Sequence, residues 1–367
     1  MAAKMLERLM QKEIPREVVM PMTIAELERA CDEGKVRDFS RHALETPELH
    51  LKATLYPMGF PTVFQTNSAE VIALMEEEWA VFAQRFDTKP IEVDVHVCEG
   101  GDSVECPPMP QYRIMQPIFT AIADAGNYSI ADFAHARTVV SIERATLRYG
   151  SYLKYFFLGA APMAHISTRF GTPVHGASVS LDGRGVILCG DSGAGKSSLA
   201  FACARAGWTY VTDDATYILN DPSGGETNRQ EMAGIEVMGN CHQVRFRPSA
   251  AELFPELTGL DITPRAAGKP SIELPTAPMQ KIRCEQTMQA EFLVFLNRRE
   301  PGAPELRHYR RDVAREFLRQ VQYGPPESRV EQYAAIERLL KVDVFELRYT
   351  DLNWAVARLE QLVREGR

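Results

Sequence analysis

The segment Gly190–Ser197, with the sequence Gly-Asp-Ser-Gly-Ala-Gly-Lys-Ser, constrains the fold of this chain more than any other. It matches the pattern GxxxxGK[ST], in which glycines let the backbone wrap and point N–H groups at a phosphate. An apolar run, 185–189, precedes the motif, and an amphipathic helical pattern follows it and ends at Gly207. A chance match in a glycine-rich turn would lack both flanking elements. The sequence therefore predicts a strand, a phosphate-binding loop and a helix.

The same motif predicts the ligands of this loop. Lys196 would bridge the β- and γ-phosphate oxygens, and the Ser197 hydroxyl would bind Mg²⁺. The positive end of the following helix would add to the attraction. We therefore expect ATP and Mg²⁺ at residues Gly190, Asp191, Ser192, Gly193, Ala194, Gly195, Lys196, Ser197 and Ser198.

Two carboxylates, Asp213 and Asp214, end the next predicted strand, Trp208–Thr212. Open α/β sheets place ligand-contacting groups at such strand ends. One carboxylate could hold the metal or its water, and the other could accept a proton from an attacking hydroxyl. An ordinary acidic turn is the alternative. The short separation from the phosphate loop favours a kinase-type arrangement.

Composition restricts the partners and the compartment. The net charge of −8 argues against a general nucleic-acid role, which would favour a basic face. The seven cysteines are scattered without a CxxC pair, which favours a reducing compartment. The N-terminal residues lack the continuous apolar core of a secretory signal, and the run Tyr155–Ala164 is too short to span a membrane. We expect a cytoplasmic protein without a membrane partner.

The chain divides into three predicted parts. Residues 1–48 form a helical extension in which Thr23 and Glu26 are spaced as a capping box. Residues 49–165 form a mixed α+β accessory domain, with a helix from Ser68 to about residue 86 and strands at 91–97 and 138–143. Residues 166–367 form the α/β catalytic domain. Its further predicted elements are a hairpin at 177–189, strands at 292–296 and 344–349, and a helix from about residue 353.

The run from Pro173 to Ile218 resembles the catalytic domain of HPr kinase/phosphorylase and of the wider HPr-kinase-related proteins. That fold also resembles the nucleotide core of phosphoenolpyruvate carboxykinase, and the resemblance covers roughly residues 170–296. It implies that the pair His175-Gly176 precedes the phosphate loop and that Asp214 is the proton acceptor. His175 and Asp213 would support the metal and phosphates. Within Ile235-Glu-Val-Met-Gly239, the resemblance makes Glu236 a Mg²⁺ ligand.

From the residues alone, His175 could equally be a structural histidine and Glu236 a solvated strand residue. Two departures from the family also bear on the function. Met238 replaces the arginine of the family's I-E-V-R-G signature, and the P-V-R-P-G-R segment has no counterpart beyond the run Lys281-Ile-Arg-Cys284. Because that segment supports dephosphorylation in the family, we expect a forward kinase without the phosphorylase reaction.

The leading hypothesis is a Mg-ATP-dependent kinase that acts on a hydroxyl, most plausibly a protein serine. The first alternative is a small-molecule kinase, since small phosphate-loop kinases also place an acidic residue at the end of the second strand. The second is a nucleotide-binding regulator with little catalysis. HPr kinases assemble as oligomers, which leaves a homo-oligomer open here.

Overall fold

The computed structural model describes residues 23–32, 48–99, 105–220, 234–260, 262, 270–279, 282–298, 302–322 and 326–366. The chain separates into one unit of residues Met1–Thr46 and a second, compact unit of residues Pro47–Arg367. In the described part of the first unit, helix α1 spans Ile24–Asp32. The Thr23 N–H and hydroxyl donate to Glu26 Oε2 at 2.8 and 2.7 Å. The predicted capping box is therefore confirmed, whereas the boundaries predicted at residues 48 and 165 stay predictions.

The helices of the second unit vary from one turn to four turns in length. They are Ala69–Trp79 (α2), Gly150–Leu153 (α3), Ala160–Arg169 (α4), Lys196–Arg205 (α5), Arg311–Arg319 (α6), Pro326–Leu339 (α7) and Leu352–Glu365 (α8). A π-helical turn, Lys154–Leu158, connects α3 to α4. No helix in the described ranges is long and apolar enough to cross a membrane.

Seven strands form the first sheet, in the order β1-β2-β3-β7-β6-β5-β4. They are Leu51–Leu55 (β1), Thr62–Thr66 (β2), Ile91–Cys98 (β3), Gln111–Met115 (β4), Ile118–Ile122 (β5), Tyr128–Asp132 (β6) and Arg137–Glu143 (β7). Strands β2, β3 and β7 are parallel, and the remaining pairs are antiparallel. The strands predicted at 91–97 and 138–143 are confirmed, and β4 to β6 were not predicted.

Helix α2 ends at Trp79, earlier than predicted. The N–H groups of Arg85 and Phe86 both donate to the Gly59 carbonyl, at 3.0 and 3.1 Å. Phe82 is buried, with its ring centroid 5.7 Å from that of Trp79. Because these tertiary contacts satisfy the backbone and bury the aromatic ring, they override the helical pattern of residues 80–86.

A second, mixed sheet carries the segment Gly190–Ser197, the predicted phosphate-binding loop, which is called the phosphate loop below. Its strands are Gly171–Leu181 (β8), Arg184–Cys189 (β9), Thr209–Thr212 (β10), Ala215–Leu219 (β11), Ile235–Gly239 (β12), Arg283–Cys284 (β15), Thr287–Asn297 (β16), Glu305–His308 (β17) and Asp343–Arg348 (β18). A separate pair consists of Gln243–Phe246 (β13) and Ile272–Pro275 (β14). The hairpin β8–β9 and the strands β10, β16 and β18 confirm the predicted elements, and the chain has a mixed α/β fold.

The loop is anchored because the elements on both sides of it are buried. Strand β9 is parallel to β16 and antiparallel to β8, and its residues Val186 to Cys189 are fully buried. Helix α5 buries Leu199 and Cys203 in the same hydrophobic core. The helix ends before Gly207, whose φ of +98° favours glycine. The six described cysteines beyond α1 carry free thiols.

Candidate active site

The phosphate loop spans the short distance between β9 and α5. Gly193 and Gly195 have φ values of +88° and +97°, in the left-handed region that favours glycine. A side chain at Gly195 would also place its Cβ 2.7 Å from the hydroxyl of Tyr349. Only glycine therefore fits immediately before α5, whose first N–H groups have no partner within the helix. These groups suit a phosphate ligand.

Lys196 lies along the inside of the loop. Its side chain is buried, and its Nζ donates to the carbonyl oxygens of Gly190 and Asp191, at 2.8 and 3.2 Å. Burial lowers the pKa of Lys196, and the nearby negative charges of Asp214 and Asp191 oppose this effect. A phosphate oxygen entering the loop would take the place of these neutral carbonyls as a stronger, charged acceptor.

A pocket of about 230 Å³ opens in front of the loop. Its titratable lining residues are His175, Lys196, Asp214, Arg247 and Arg298. Three basic side chains therefore face one carboxylate, in a chain whose net charge is −8. This local excess of positive charge suits a polyphosphate.

Backbone pairing brings Asp214 next to His175. In the register of β8 and β11, His175 pairs with Ala215, and the Gly176 N–H donates to the Asp214 carbonyl at 3.0 Å. His175 Nδ1 lies 3.3 Å from Asp214 Oδ1. Burial lowers the pKa of His175, and so does the charge of Lys196, which favours a neutral ring at pH 7. Asp214 is exposed to the pocket and can accept a proton there.

Asp213 points the other way. Its carboxylate is 5% exposed and accepts hydrogen bonds from the Tyr210 hydroxyl and the Arg245 N–H, both at 3.1 Å. Burial, together with the negative charge of Asp214, raises the pKa of Asp213 to about 6. The expectation that Asp213 supports the metal and phosphates does not agree with this placement. Its carbonyl, instead, accepts from the Ser197 hydroxyl at 3.4 Å.

Glu236 is not brought to the loop either. Its Oε1 lies 3.4 Å from Arg85 Nη2, and Glu236 does not line the pocket. Gly239, at the end of β12 nearest the pocket, lies opposite Thr216 of β11. Glu236 comes three residues earlier in β12, so it lies about 10 Å from Gly239 along the strand. Its predicted role as a Mg²⁺ ligand has no support from this geometry.

The oxygen donors that remain at the loop still fit a magnesium ion. Within the described residues, no group of three or more His, Cys, Asp or Glu side chains could hold a metal. Mg²⁺, however, usually takes one or two protein ligands and completes its shell with phosphate and water oxygens. The Ser197 hydroxyl makes a single long hydrogen bond, at 3.4 Å, within the part of the chain that the structure describes, and it suits that role.

Two arginines of the pocket were not predicted. Arg247 Nη2 donates to the Ser192 hydroxyl at 2.6 Å, and the Arg298 guanidinium carbon lies 5.6 Å from the ring centroid of Tyr349. Arg298 directly follows β16, and the end of that apolar strand is a signal that could have identified it. Arg247 follows the short strand β13, which the sequence does not reveal. In the run 281–284, Lys281 lies outside the described residues. Arg283 belongs to β15 and pairs with Thr209 of β10.

Comparisons with known proteins add a distant structural likeness. No family model matches the chain, and no curated protein matches it. Among solved structures, the HPr(Ser) kinase/phosphatase from Coxiella burnetii is similar at 16% sequence identity, with a TM-score of 0.30. The match covers 53% of this chain and 96% of that one.

Proposed function

We propose that this chain is a Mg-ATP-dependent phosphotransferase that transfers the γ-phosphate of ATP to a hydroxyl group. The observation that carries the proposal is the composition of the loop pocket. It combines a phosphate loop, the three cations Lys196, Arg247 and Arg298, and a single accessible carboxylate, Asp214. A site for nucleotide binding alone would not need that carboxylate, which repels phosphate.

The loop and its cations would bind the polyphosphate. The N–H groups at the start of α5 and the Lys196 ammonium would hold phosphate oxygens, and Arg298 would stabilise the charge of the transferred group. Mg²⁺, when bound at Ser197, would neutralise charge between the β- and γ-phosphates. Because Arg298 has no carboxylate within ion-pair distance among the described residues, its charge is available to the ligand.

Asp214 would accept the proton of the attacking hydroxyl. The acceptor oxygen attacks the γ-phosphorus while its hydroxyl proton passes to an Asp214 carboxylate oxygen, and ADP leaves with the bond to the γ-phosphate broken. The neutral His175 ring, 3.3 Å from Oδ1, would hold the carboxylate in place without supplying a competing proton. Asp213 would act indirectly, by fixing the backbone from which Asp214 projects.

Two substitutions test this assignment. Lys196→Ala should weaken the binding of a fluorescent ATP analogue at least tenfold and abolish transfer. Asp214→Asn should leave that binding within about twofold and slow transfer about 100-fold or more, because a positioned base contributes about 10²–10⁴. Asp87→Asn, which alters an exposed carboxylate outside the pocket, is the matched control. Normal transfer by the Asp214→Asn chain would exclude it as the proton acceptor.

The class of acceptor is the finer part of the proposal. A protein serine rests on the sequence resemblance alone, and a small molecule is the alternative. Incubation of the chain with γ-³²P-ATP and a cell lysate distinguishes them, since the label is counted separately in protein and in soluble metabolites. ATP binding with no label in either fraction would favour a nucleotide-binding regulator.

A further inference from the structure

A second cavity lies outside the loop pocket, between the first sheet and helix α4. Its volume is about 420 Å³, within the range of about 300–1,000 Å³ that is usual for small-molecule sites. Strands β4 to β7 form one wall and α4 forms the other, and Tyr217 of β11 closes one side. The cavity is thus a concave site bounded by several elements, and it is open to solvent on one side.

The cavity exists because small residues face large rings. On α4, Ala160, Ala164 and Thr168 recur every four residues and line one wall. Alanine at these positions leaves the space that a leucine would fill. The facing wall holds Phe119 and Phe133, and the edge of one of these rings, Phe133, packs against His165 of α4 with the ring centroids 5.2 Å apart.

The walls carry no charge and few free polar groups. None of the lining residues is Asp, Glu, Lys, Arg or His. The Ser167 and Thr168 hydroxyls donate to backbone carbonyls of their own helix, at 2.7 and 2.8 Å. The Thr138 hydroxyl lies 2.8 Å from His165 Nε2. A charged ligand group would lose its hydration here without gaining a partner, so the occupant must be neutral.

One hydroxyl of the wall is open to a ligand. Ser129 is 6% exposed, lines the cavity, and has no hydrogen-bond partner in the part of the chain that the structure describes. Because Ser129 lines the cavity, its hydroxyl can form a hydrogen bond with a ligand oxygen there. Ser129 therefore points to an occupant with one neutral oxygen function.

The aromatic wall indicates the shape of the occupant. The rings of Tyr112 and Phe119 are 5.8 Å apart and inclined by 17°, and those of Phe119 and Phe133 are 6.2 Å apart and inclined by 28°. This row of nearly parallel rings offers a broad stacking surface. A flat molecule can cover it, whereas a flexible chain would lose more conformational freedom on binding.

We propose that this cavity is a binding site for a flat, neutral, mainly hydrocarbon small molecule that carries one oxygen function paired with Ser129. The molecule stacks on the rings of β4 and β5 and packs against the alanines of α4. The site is separate from the phosphate loop, and the proposal does not depend on phosphotransfer.

The test uses prodan, a neutral naphthalene ketone whose fluorescence shifts to the blue in apolar surroundings. Titration of the full chain should give a saturable blue shift with one site per chain. Ala164→Leu, which fills the cavity, should weaken binding at least tenfold. Ser129→Ala should weaken it about three- to tenfold, as expected for one hydrogen bond. Ala80→Leu enlarges the side chain by the same amount at an exposed position and should change the affinity less than twofold.

Thermal melts establish that each variant is folded, and Ala160→Leu replaces Ala164→Leu if the latter does not fold. Unsaturable binding, or binding that a folded cavity-filled variant retains, overturns the proposal, because prodan then adsorbs elsewhere. Equal affinities of the wild-type and Ser129→Ala chains for prodan overturn the predicted oxygen contact.

Discussion

Replacement of Asp213 by asparagine should stabilise the chain at pH 8 more than at pH 5. The Asp213 carboxyl is 5% exposed, and burial raises its pKa from 3.8 to about 6. In the unfolded chain, the carboxyl would titrate near its ordinary value, about 3.9. Between these two values the folded chain binds more protons than the unfolded chain. Its stability therefore falls as the pH rises through that window.

The magnitude follows from the difference between the two pKa values. About two pH units correspond to about 3 kcal/mol between the fully protonated and the fully ionised carboxyl. At pH 5 the unfolded carboxyl is already mostly ionised, so only about 1–1.5 kcal/mol of this loss falls between pH 5 and pH 8. Asparagine has no charge to bury, and its side-chain oxygen can still accept the hydrogen bond from Arg245 N–H.

Urea unfolding without nucleotide at pH 5, 6, 7 and 8 measures this effect. The quantity to plot is the free energy of unfolding of Asp213→Asn minus that of the wild type, since other titrating groups cancel in the difference. It should rise by about 1–1.5 kcal/mol from pH 5 to pH 8. Asp87→Asn, at an exposed position, is the matched control variant. A flat or falling line for Asp213→Asn would refute the reasoning, because the backbone N–H of Arg245 would then favour the ionised carboxylate.

Three further results are expected from the site geometry. Arg298→Ala should weaken ATP binding about tenfold or more, as loss of one charged hydrogen bond implies. Arg298→Lys, which keeps the charge, should lose less affinity. Equal affinities of the wild-type and Arg298→Ala chains in a fluorescent-nucleotide titration would show that Arg298 does not bind the nucleotide. Gly195→Ala should lower the melting temperature, since it combines a left-handed φ with a Cβ 2.7 Å from the Tyr349 hydroxyl. Tyr349→Phe removes that atom and should restore part of the loss, and a double variant no better than Gly195→Ala would contradict the contact. Glu236→Gln should leave Mg²⁺-dependent ATP binding within about twofold, because the Glu236 carboxylate faces Arg85. A tenfold loss of affinity in the same titration would instead support Glu236 as a Mg²⁺ ligand.

The parts of the fold that could be predicted are those specified by neighbouring residues. The hairpin before the loop depends on the turn Asp182-Gly183, both of which have positive φ. The end of α5 depends on Gly207. The loop itself depends on glycines within eight residues. In each case the deciding contact lies within a few positions, so a pattern in the sequence is enough.

Non-local contacts decide the parts that were missed. Every residue of β4 is exposed, so the short run Gln111–Met115 buries no apolar face of its own and forms a strand by pairing with β5. The opposite directions of Asp213 and Asp214 follow from the alternation of side chains at a strand end. The sequence therefore predicts that the two side chains point in opposite directions, but it does not show which of them faces the loop. The distance of Glu236 from the loop depends on the register between β11 and β12.

The surroundings of Met238 explain why this chain lacks the arginine that the sequence resemblance leads us to expect there. Met238 occupies its position, is fully buried, and packs in the hydrophobic cluster of the first sheet. An arginine at this position would bury an unpaired charge, which is strongly unfavourable. The positive charge of the proposed polyphosphate site comes from elsewhere in the chain, because Arg247 and Arg298 lie in the pocket at the ends of β13 and β16. Because strand ends meet at the loop whatever their order in the sequence, the departure at position 238 does not remove the basic character of the site.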